Sequence, residues 1–300
     1  METPRIVRLE LTTADTSNVV TTPIPAGSYT LLKLPNGLQR AYSIVTGTTS
    51  SFTLGIALDD ESRGGSSYIH NNLTIGDIIQ VGQMTRGIKP NGMASHHIFI
   101  VGGIGITAFI STMKKMHSIN QTFELHYAVR CAGDVAFRTL MSGFKDSIHI
   151  YDKEKDQRMD INQILRDRID NSHVFTCGPE RMISSVIAAA KEVGMAEDEV
   201  FYETFTSDTS GDPFTVDVVS SNKTTRLNVG HEQSLLEVMR AAGLEVASSC
   251  ETGSCGTCRI SVREGKIVHK GKGLTTTEQE KQMLCCVSRG QGHIVVELDV

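Results

Sequence analysis

The sequence predicts three domains in succession: an antiparallel β-barrel at residues 1–93, a parallel α/β domain at 94–205 and, after a linker at 206–213, an α+β domain of the β-grasp type at 214–300. The first observation is length, because 300 residues exceed what one hydrophobic core usually supports. The second is a change near residue 97 from short β-prone runs to apolar strands that alternate with helical patterns. The third is the polar stretch "TFTSDTSGDP", which precedes a last segment with its own strands and helix.

The first predicted domain consists of short strands between turn residues. "SYTLLKL" precedes "PNG", "RAYSIV" precedes "TGTTS", and "SFTLGIAL" precedes "DDESRGG". Strands at this spacing are typical of a small antiparallel barrel or sandwich. We expect a barrel.

The second predicted domain begins with the apolar run "HIFIVGGIGITAFISTMKKMHSI". It indicates a buried strand, a glycine turn and a helix that starts near Ile106. Further strands at "TFELHYAVR", "IHIYD" and "HVFTC" alternate with helical patterns, which favours a parallel sheet.

The last predicted domain contains a hairpin, a helix and a closing strand. "FTVDVVSSNKTTRLNV" predicts the hairpin with its turn at "SSNKT", and "SLLEVMRAAG" predicts a helix that Gly243 ends. The closing strand is "HIVVELDV".

Composition excludes several classes of function. The net charge is −5 and there is no basic tract, so we expect no nucleic-acid partner. The most apolar run is broken by glycines, so we expect no membrane span. The first residues, "METPRIVRLELTT", lack the apolar core of a secretory signal, which predicts a cytoplasmic protein without disulfides.

Three of the seven cysteines are concentrated in "CETGSCGTC". The spacing is Cys250-x₄-Cys255-x₂-Cys258, and after a gap of 27 residues comes Cys286, directly after its neighbour Cys285. This is the plant-type spacing for a [2Fe–2S] cluster, in which four thiolates hold two irons. Spacing alone does not decide which of the adjacent cysteines is the fourth ligand.

A structural zinc site is the alternative, and with it a binding protein without redox activity. Zinc sites usually show paired C-x₂₋₄-C knuckles, whereas only the adjacent cysteines stand opposite the three. His269 offers a further zinc ligand from a glycine- and lysine-rich hairpin. In the cysteine loop itself, Gly253 and Gly256 would let the backbone wrap closely and direct amides at sulfur, which favours iron and sulfur.

Two turns in the α/β segment are candidate nucleotide sites. Gly103-x-Gly105-x-x-Ala108 fits the dinucleotide fingerprint, although Glu124 falls at the start of the next strand rather than at its end. A purely structural turn explains the glycines equally well. Cys177 ends a strand at the edge where open α/β sheets bind ligands, but it is also compatible with an ordinary buried cysteine. Asp152, which ends "IHIYD", is either a ribose acceptor or a solvated loop acid.

Taken together, these segments resemble the phthalate dioxygenase reductase and vanillate demethylase reductase family over essentially the whole chain. The resemblance rests on "RAYSIV", "SRGGSSYIH", "GGIGIT" with "CGPERM", and "SSCETGSCGTC" with "MLCCVSR". Members of that family carry a flavin and a [2Fe–2S] cluster, use NADH and supply electrons to Rieske-type oxygenases.

The first two motifs imply a flavin site. By the match, Arg40 would contact the flavin phosphate, Tyr42 would pack on the flavin, and Ser43 would hydrogen-bond its ring. Donors to the phosphate would come from a second segment (Gly65, Ser66 and Ser67). The order of domains, with the ferredoxin unit last, implies FMN rather than FAD.

The other motifs imply the remaining sites. Gly103 and Gly105 would lie at the nicotinamide nucleotide, Thr107 beside the flavin and Cys177 near the nicotinamide, so that Ser43, Thr107 and Cys177 would be the catalytic residues. Phe205 is assigned to the flavin face. The last ligand precedes V-S-R in this family, which selects Cys286.

The resemblance implies hydride transfer from NADH to FMN and then single-electron transfer through the cluster to the oxygenase. The charge of Asp152 favours NADH over NADPH, while Arg130 and Lys153 nearby act against that preference. The alternative is a self-contained flavin-dependent NADH reductase of a small acceptor, which would need no protein partner.

One further hypothesis concerns the run "REGKIVHKGKG". It concentrates Arg263, Lys266, Lys270 and Lys272 near the cysteine loop, and we expect it to help dock an acidic patch of the oxygenase. A solvated basic loop is the alternative.

Overall fold

The computed structural model forms two compact units, Met1–Glu203 and Thr204–Val300, and each is described here by itself. The described residues are 1–14, 20–60, 64–88, 94–205, 208–220 and 223–298. The predicted domain boundaries at 93/94, 205/206 and 213/214 stay predictions.

The first sheet of the first unit is antiparallel and has six strands in the order β1-β4-β3-β2-β5, with β6 also paired to β2. Its elements are β1 Ile6–Thr12, β2 Ser28–Lys33, β3 Gln39–Thr48, β4 Ser51–Ala57, α1 Gly65–Asn71, β5 Gln80–Val81 and β6 Thr85–Arg86. Among the described residues β1 does not pair with β5 or β6, so the predicted barrel is a half-barrel. The last two strands have two residues each, too few to close a barrel.

The second sheet is entirely parallel, with the order β11-β10-β7-β8-β9. Its elements are β7 His96–Gly102, α2 Ile110–Ser118, β8 Phe123–Val129, α3 Arg138–Met141, β9 Ile148–Asp152, α4 Ile161–Arg166, β10 Ser172–Cys177, α5 Glu180–Glu192 and β11 Val200–Glu203. The strand order reverses between β7 and β10, and in open α/β sheets ligands bind at the carboxyl ends of the strands at such a point.

The predicted start of the first helix near Ile106 is wrong. A 3₁₀ turn spans Gly103–Ala108, and the α-helix α2 begins at Ile110. In this turn the hydroxyl of Thr107 donates to the carbonyl of Ile104 at 2.9 Å, and the amide of Phe109 donates to the carbonyl of Ile106 at 3.1 Å. These i to i−3 bonds tighten the turn before the wider helix starts.

The second unit is a mixed sheet in the order β13-β12-β16-β14-β15, in which β12 and β16 are parallel and the other pairs antiparallel. Its elements are β12 Phe214–Ser220, β13 Lys223–Val229, α6 Leu235–Ala241, β14 Arg259–Val268, α7 Thr276–Gln279, β15 Gln282–Leu284 and β16 Arg289–Leu298. The predicted hairpin, helix and last strand are all present, and Gly243 follows α6 at φ 76° as a left-handed cap.

A buried arginine at the start of β16 fixes the segment that enters this unit. Arg289 is 3% exposed, and its guanidinium lies 5.0 Å from the centroid of the Phe214 ring. Its two terminal nitrogens donate to five backbone carbonyls, those of Thr209 (2.9 Å), Gly211 (3.2 Å), Asp212 (2.8 Å), Gly230 (2.8 Å) and Gln233 (2.6 Å). The rigid fork of donors satisfies carbonyls that a buried loop would otherwise leave unpaired.

No helix in the described residues is long and apolar enough to cross a membrane.

Replacing Arg289 with Lys should destabilise the second unit by about 2–4 kcal/mol, because a lysine ammonium cannot reach five carbonyls from one position. The measurement is urea unfolding followed in the near-ultraviolet and by loss of any cluster absorbance.

The matched control is Arg263→Lys, an arginine on the exposed part of β14 whose Nε lies 2.8 Å from Glu297. That substitution should cost less than about 1 kcal/mol. Equal losses in the two variants would show that the carbonyl contacts of Arg289 contribute little.

Candidate redox site

The cysteine loop lies between α6 and β14 and folds around its own sulfur atoms. The amides of Thr252 and Cys255 point at the sulfur of Cys250, with N···Sγ distances of 3.5 and 3.3 Å. The amides of Cys250 and Thr257 point at the sulfur of Cys255, both at 3.5 Å. Backbone donors aimed at sulfur stabilise negative charge there, as an iron–sulfur cluster requires.

The buried side of the loop is completed by the two other cysteines of the predicted set. Cys258 and Cys286 are each 2% exposed, and their sulfur atoms are 2.9 Å apart. Cys285 is also buried, but its thiol lies 3.1 Å from the backbone carbonyl of Cys258 and its amide donates to the same carbonyl at 3.1 Å. The sulfur of Cys286 thus contacts the sulfur of Cys258, whereas the thiol of Cys285 lies at the backbone carbonyl of Cys258.

Two of the thiols are poised to ionise. A hydrogen bond with Cys250 lowers the pKa of Cys255 to about 5, and hydrogen bonds with Cys285 and then Cys286 lower the pKa of Cys258 to about 3. The same contacts, together with burial, raise the pKa of the thiols of Cys250, Cys285 and Cys286. The cysteines of the second unit are not joined in disulfides, so their sulfurs are available as ligands. The donor set fits two irons held by thiolates.

Glycine-to-glycine contacts hold the cysteine loop against the hairpin that follows β14. The amides of Lys272 and Gly273 both donate to the carbonyl of Gly253 at 2.9 Å. A methyl group on Gly271 would lie 2.5 Å from the carbonyl oxygen of Gly253, and one on Gly273 would lie 2.6 Å from the amide nitrogen of Gly256. No side chain fits between these backbones.

Two arginines brace the loop from outside. Arg240 on α6 contacts Ser248 and Glu251, with a nitrogen-to-oxygen distance of 2.7 Å to the glutamate. Arg259 at the start of β14 donates to the carbonyl of Gly256 at 2.9 Å and pairs with Glu278 at 2.6 Å.

The glycine turn and the cysteine turn of the first unit meet at the switch point of the parallel sheet. A methyl group on Gly105 would lie 2.2 Å from the carbonyl oxygen of Cys177, so this position admits only glycine. A methyl group on Gly102 would lie 2.8 Å from Pro179. The two turns therefore pack closely against each other at the carboxyl ends of β7 and β10.

Thr107 connects this turn to the half-barrel. A methyl group on Gly55 of β4 would lie 2.8 Å from the ring of Phe137 and 2.9 Å from the side-chain methyl of Thr107. Phe137 is 1% exposed and has a left-handed backbone at φ 57°, and its amide donates to the carboxylate of Glu2 at 2.7 Å. A strained backbone is thus held in place beside the predicted catalytic threonine.

The first predicted flavin motif lies on β3. Arg40, Tyr42 and Ser43 are within five residues of one another, and Ser43 is buried. Burial raises the pKa of Tyr42 to about 12, against the effect of the Arg40 guanidinium nearby, so the phenol is neutral. The Arg40 side chain runs over Gly65, where a methyl group would lie 2.7 Å from its Cγ.

The second predicted flavin segment is therefore adjacent to the first. Gly65, Ser66 and Ser67 are the first three residues of α1, and Gly64 precedes them at φ 89°. The first hydrogen bond of the helix runs from the amide of Tyr68 to the carbonyl of Gly64 at 3.0 Å. Amides in the first turn of a helix make no hydrogen bond within the helix, and amides of this kind can bind an anion.

The structure also shows the burial and contacts of three further residues that were predicted to bind a cofactor. Cys177 is completely buried, and burial, reinforced by Glu203, raises the pKa of its thiol well above its usual range, so the thiol is neutral. Asp152 is 3% exposed, and its carboxylate caps a 3₁₀ turn by accepting from the amide of Glu154 at 3.0 Å. The solvated-acid interpretation of Asp152 is therefore wrong. Phe205 lies in the second unit with 41% of its surface exposed.

Two of the four cations in the predicted docking hairpin are already paired. Lys270 lies 2.5 Å from the carboxylate of Asp208 and donates to the carbonyl of Ser210 at 2.8 Å, and Arg263 pairs with Glu297. These two positive charges are not available to attract an acidic patch of a partner, because they already neutralise acids of the same unit.

Sequence reasoning missed Arg289, Phe137 and the paired glycines of the "HKGKG" hairpin. The first stands in the V-S-R motif, which was used only to select the last cysteine. The contacts of the glycines join residues about 17 positions apart, and no local pattern indicates such a pairing.

Both units are similar to known proteins. The family model described as "2Fe-2S iron-sulfur cluster binding domain" matches residues 218–290. The model described as "Dimethylamine monooxygenase subunit DmmA-like, N-terminal domain" matches residues 83–200. Among solved structures, phthalate dioxygenase reductase is similar with a TM-score of 0.79 and 26% identity, over 99% of this chain and 95% of that one.

Curated relatives cover most of the chain. The heme-dependent oxidative N-demethylase beta subunit of Ectopseudomonas mendocina is 33% identical, over 89% of this chain and 86% of its own length. A reductase of Gibberella moniliformis is 37% identical over 87% of this chain, which spans about half of that relative (49%). The vanillate O-demethylase oxidoreductase of a Pseudomonas species is 31% identical, over 97% of this chain and 94% of its own. The chain therefore belongs to the phthalate dioxygenase reductase and vanillate O-demethylase oxidoreductase family, whose iron–sulfur domain lies at the carboxyl end.

Proposed function

We propose that this protein is the reductase component of a Rieske-type oxygenase or demethylase system. It would take hydride from NADH onto FMN and pass single electrons through a [2Fe–2S] cluster to the oxygenase. The observation that carries the proposal is the arrangement of four cysteines in one chain with a half-barrel and a nucleotide-type sheet. Backbone amides point at the sulfurs of Cys250 and Cys255, and the sulfurs of Cys258 and Cys286 are in contact. A zinc-bound protein without redox activity is not favoured, because four thiolates alone suit either metal and the match of residues 218–290 to a 2Fe-2S cluster binding domain supports the iron–sulfur cluster.

When bound, the flavin accepts two electrons as hydride and the cluster passes them on one at a time. The protein's own residues bind and orient these groups. Arg40 and the amides of Gly65, Ser66 and Ser67 would neutralise the FMN phosphate, which is compatible with a mononucleotide that ends at that phosphate. Tyr42 would present a neutral ring and Ser43 a hydroxyl to the flavin.

The nucleotide crevice would hold the nicotinamide by shape. Gly103 and Gly105 allow the backbone to approach the substrate, and Thr107 lies where the half-barrel and the parallel sheet meet. The neutral thiol of Cys177 would pack near the nicotinamide rather than attack it, since a nucleophile would have to be a thiolate. No side chain needs to move a proton during hydride transfer.

The partner would be the oxygenase component, and the names of relatives support a multi-component system. A carnitine monooxygenase reductase subunit from Escherichia coli is 31% identical over 91% of this chain. A second candidate partner is a haem-dependent demethylase, favoured by the relative from Ectopseudomonas mendocina and by the match over residues 83–200. A self-contained NADH reductase of a small acceptor would instead turn over without either partner.

The ligand assignment is tested by Cys286→Ala. Iron should fall from about two per chain to nearly none, because three thiolates do not hold the cluster. Flavin content and NADH-driven reduction of ferricyanide should stay within about twofold of the wild type, since hydride transfer does not need the cluster, whereas electron delivery to an oxygenase or to cytochrome c should be lost.

The matched control is Cys285→Ala, at the adjacent and equally buried cysteine. It removes one sulfur at a cost of about 1–2 kcal/mol and should keep its iron. Loss of iron in Cys285→Ala with retention in Cys286→Ala would assign the fourth ligand to the other residue. Zinc in place of iron in the wild type would overturn the proposed function.

The proposed preference for NADH is tested by Asp152→Asn. Asparagine keeps an oxygen that can accept from the amide of Glu154, so the turn is preserved while the negative charge is removed. The ratio of kcat/KM for NADH to that for NADPH should fall about tenfold, because a 2′-phosphate is no longer repelled. An unchanged ratio, with the same thermal stability, would show that Asp152 only caps its turn.

A further inference from the structure

A cluster of histidines and one glutamate lies on one face of the parallel sheet, on strands β7, β8 and β9. Glu124 and His126 are two residues apart on β8 and so point to the same face. His149 on β9 is the register partner of His126, and Ile98 on β7, two residues after His96, is the register partner of Glu124. Four side chains with metal-ligating atoms are thus on one surface, at strand positions before the carboxyl ends.

The distances between the ligating atoms are similar to those between neighbouring ligands of one metal ion. Nε2 of His126 lies 3.5 Å from one carboxylate oxygen of Glu124, and Nε2 of His96 lies 3.7 Å from the other. Ligand atoms of Glu124, His126 and His149 all lie within 4.8 Å of one another. Hydrogen bonds between nitrogen and oxygen are usually about 2.7–3.2 Å long, whereas neighbouring ligands of a tetrahedral zinc ion are roughly 3.4 Å apart.

The ring of His126 is oriented as a metal ligand would be. Its Nδ1 lies 2.9 Å from the hydroxyl of Tyr151, and this contact orients the ring. Its Nε2 is buried without a hydrogen-bond partner and faces the carboxylate, and the residue is only 6% exposed. A buried imidazole nitrogen with a free lone pair is costly unless something binds it.

The charge and access of the cluster also fit a cation. The Glu124 carboxylate lies between the imidazoles of His96 and His126, one at each oxygen, and supplies an acidic oxygen donor to the cluster. His149 is exposed and stacks on His126 with ring centroids 4.9 Å apart and planes 17° apart. A cation can therefore enter from the solvent side, and the exposed ring can turn to complete the ligand set.

We propose that Glu124, His126 and His149 form a binding site for a divalent transition metal ion, Zn²⁺ in the first instance. His96 lies beside the carboxylate of Glu124. Imidazole and carboxylate are ligands that zinc accepts, and three protein ligands leave a fourth position for water. The cluster contains none of the cysteines and lies at strand positions before the carboxyl ends, so it does not depend on the proposed redox function.

The test is equilibrium dialysis of the iron-loaded full-length protein against Zn²⁺, with zinc and iron measured in the same samples by mass spectrometry. The wild type should bind about one zinc per chain with its iron content unchanged. His149→Ala, at an exposed position, and Glu124→Gln should each weaken zinc binding at least about tenfold. His231→Ala, another exposed histidine, is the matched control and should bind zinc as the wild type does.

A thermal shift gives a second readout. Saturating Zn²⁺ should raise the melting temperature of the wild type and of His231→Ala, but not that of Glu124→Gln. The proposal is overturned if the wild type binds no zinc, if zinc uptake equals iron loss, or if His149→Ala and Glu124→Gln bind zinc as tightly as the wild type.

Discussion

Glycine packs on glycine beneath the cysteine loop, and the arrangement of its sulfurs depends on that contact. Gly271 and Gly273 leave no room for a side chain against Gly253 and Gly256, and backbone bonds of 2.9 Å join the two segments. The loop can therefore curl until its amides point at sulfur instead of at water. Arg240 and Arg259 then brace it from α6 and β14. A cluster bound there would be tuned by backbone dipoles rather than by charged side chains.

In the first unit, too, glycines allow segments to pack more closely than a side chain would permit. Gly105 lies against the carbonyl of Cys177 so closely that an alanine would clash, and Gly55 makes room for Thr107 and Phe137. The first contact packs backbone against backbone at the switch point of the sheet, and the second packs two side chains closely against β4. A redox protein gains from this, because electron and hydride transfer require short distances between the groups and little proton chemistry from the protein.

Local patterns predicted most of the fold. The alternation of strands and helices predicted the parallel sheet, and the hairpin and the helix that ends before Gly243 were predicted from their turn and cap residues. The half-barrel was predicted as a barrel because strand propensity does not reveal whether a sheet closes. The start of α2 was misplaced because the hydrogen bond from Thr107 to Ile104 favours a 3₁₀ turn that propensity does not encode. Spacing predicted three of the cysteine ligands and the resemblance selected Cys286, and this ligand set stays a prediction. The role of Arg289 depends on five carbonyls distant in sequence, which no local pattern indicates.

The central claim is that electrons pass from NADH through a flavin to a cluster held by this chain. The most direct measurement is an anaerobic titration of the wild-type protein with NADH, followed by visible absorbance and by electron paramagnetic resonance. The account predicts that the flavin band bleaches, that the signal of a reduced [2Fe–2S] cluster appears, and that about three electrons are taken up per chain. If NADH bleaches the flavin while the cluster stays oxidised, although dithionite reduces the cluster, electrons do not pass from the flavin to the cluster and the proposal is wrong.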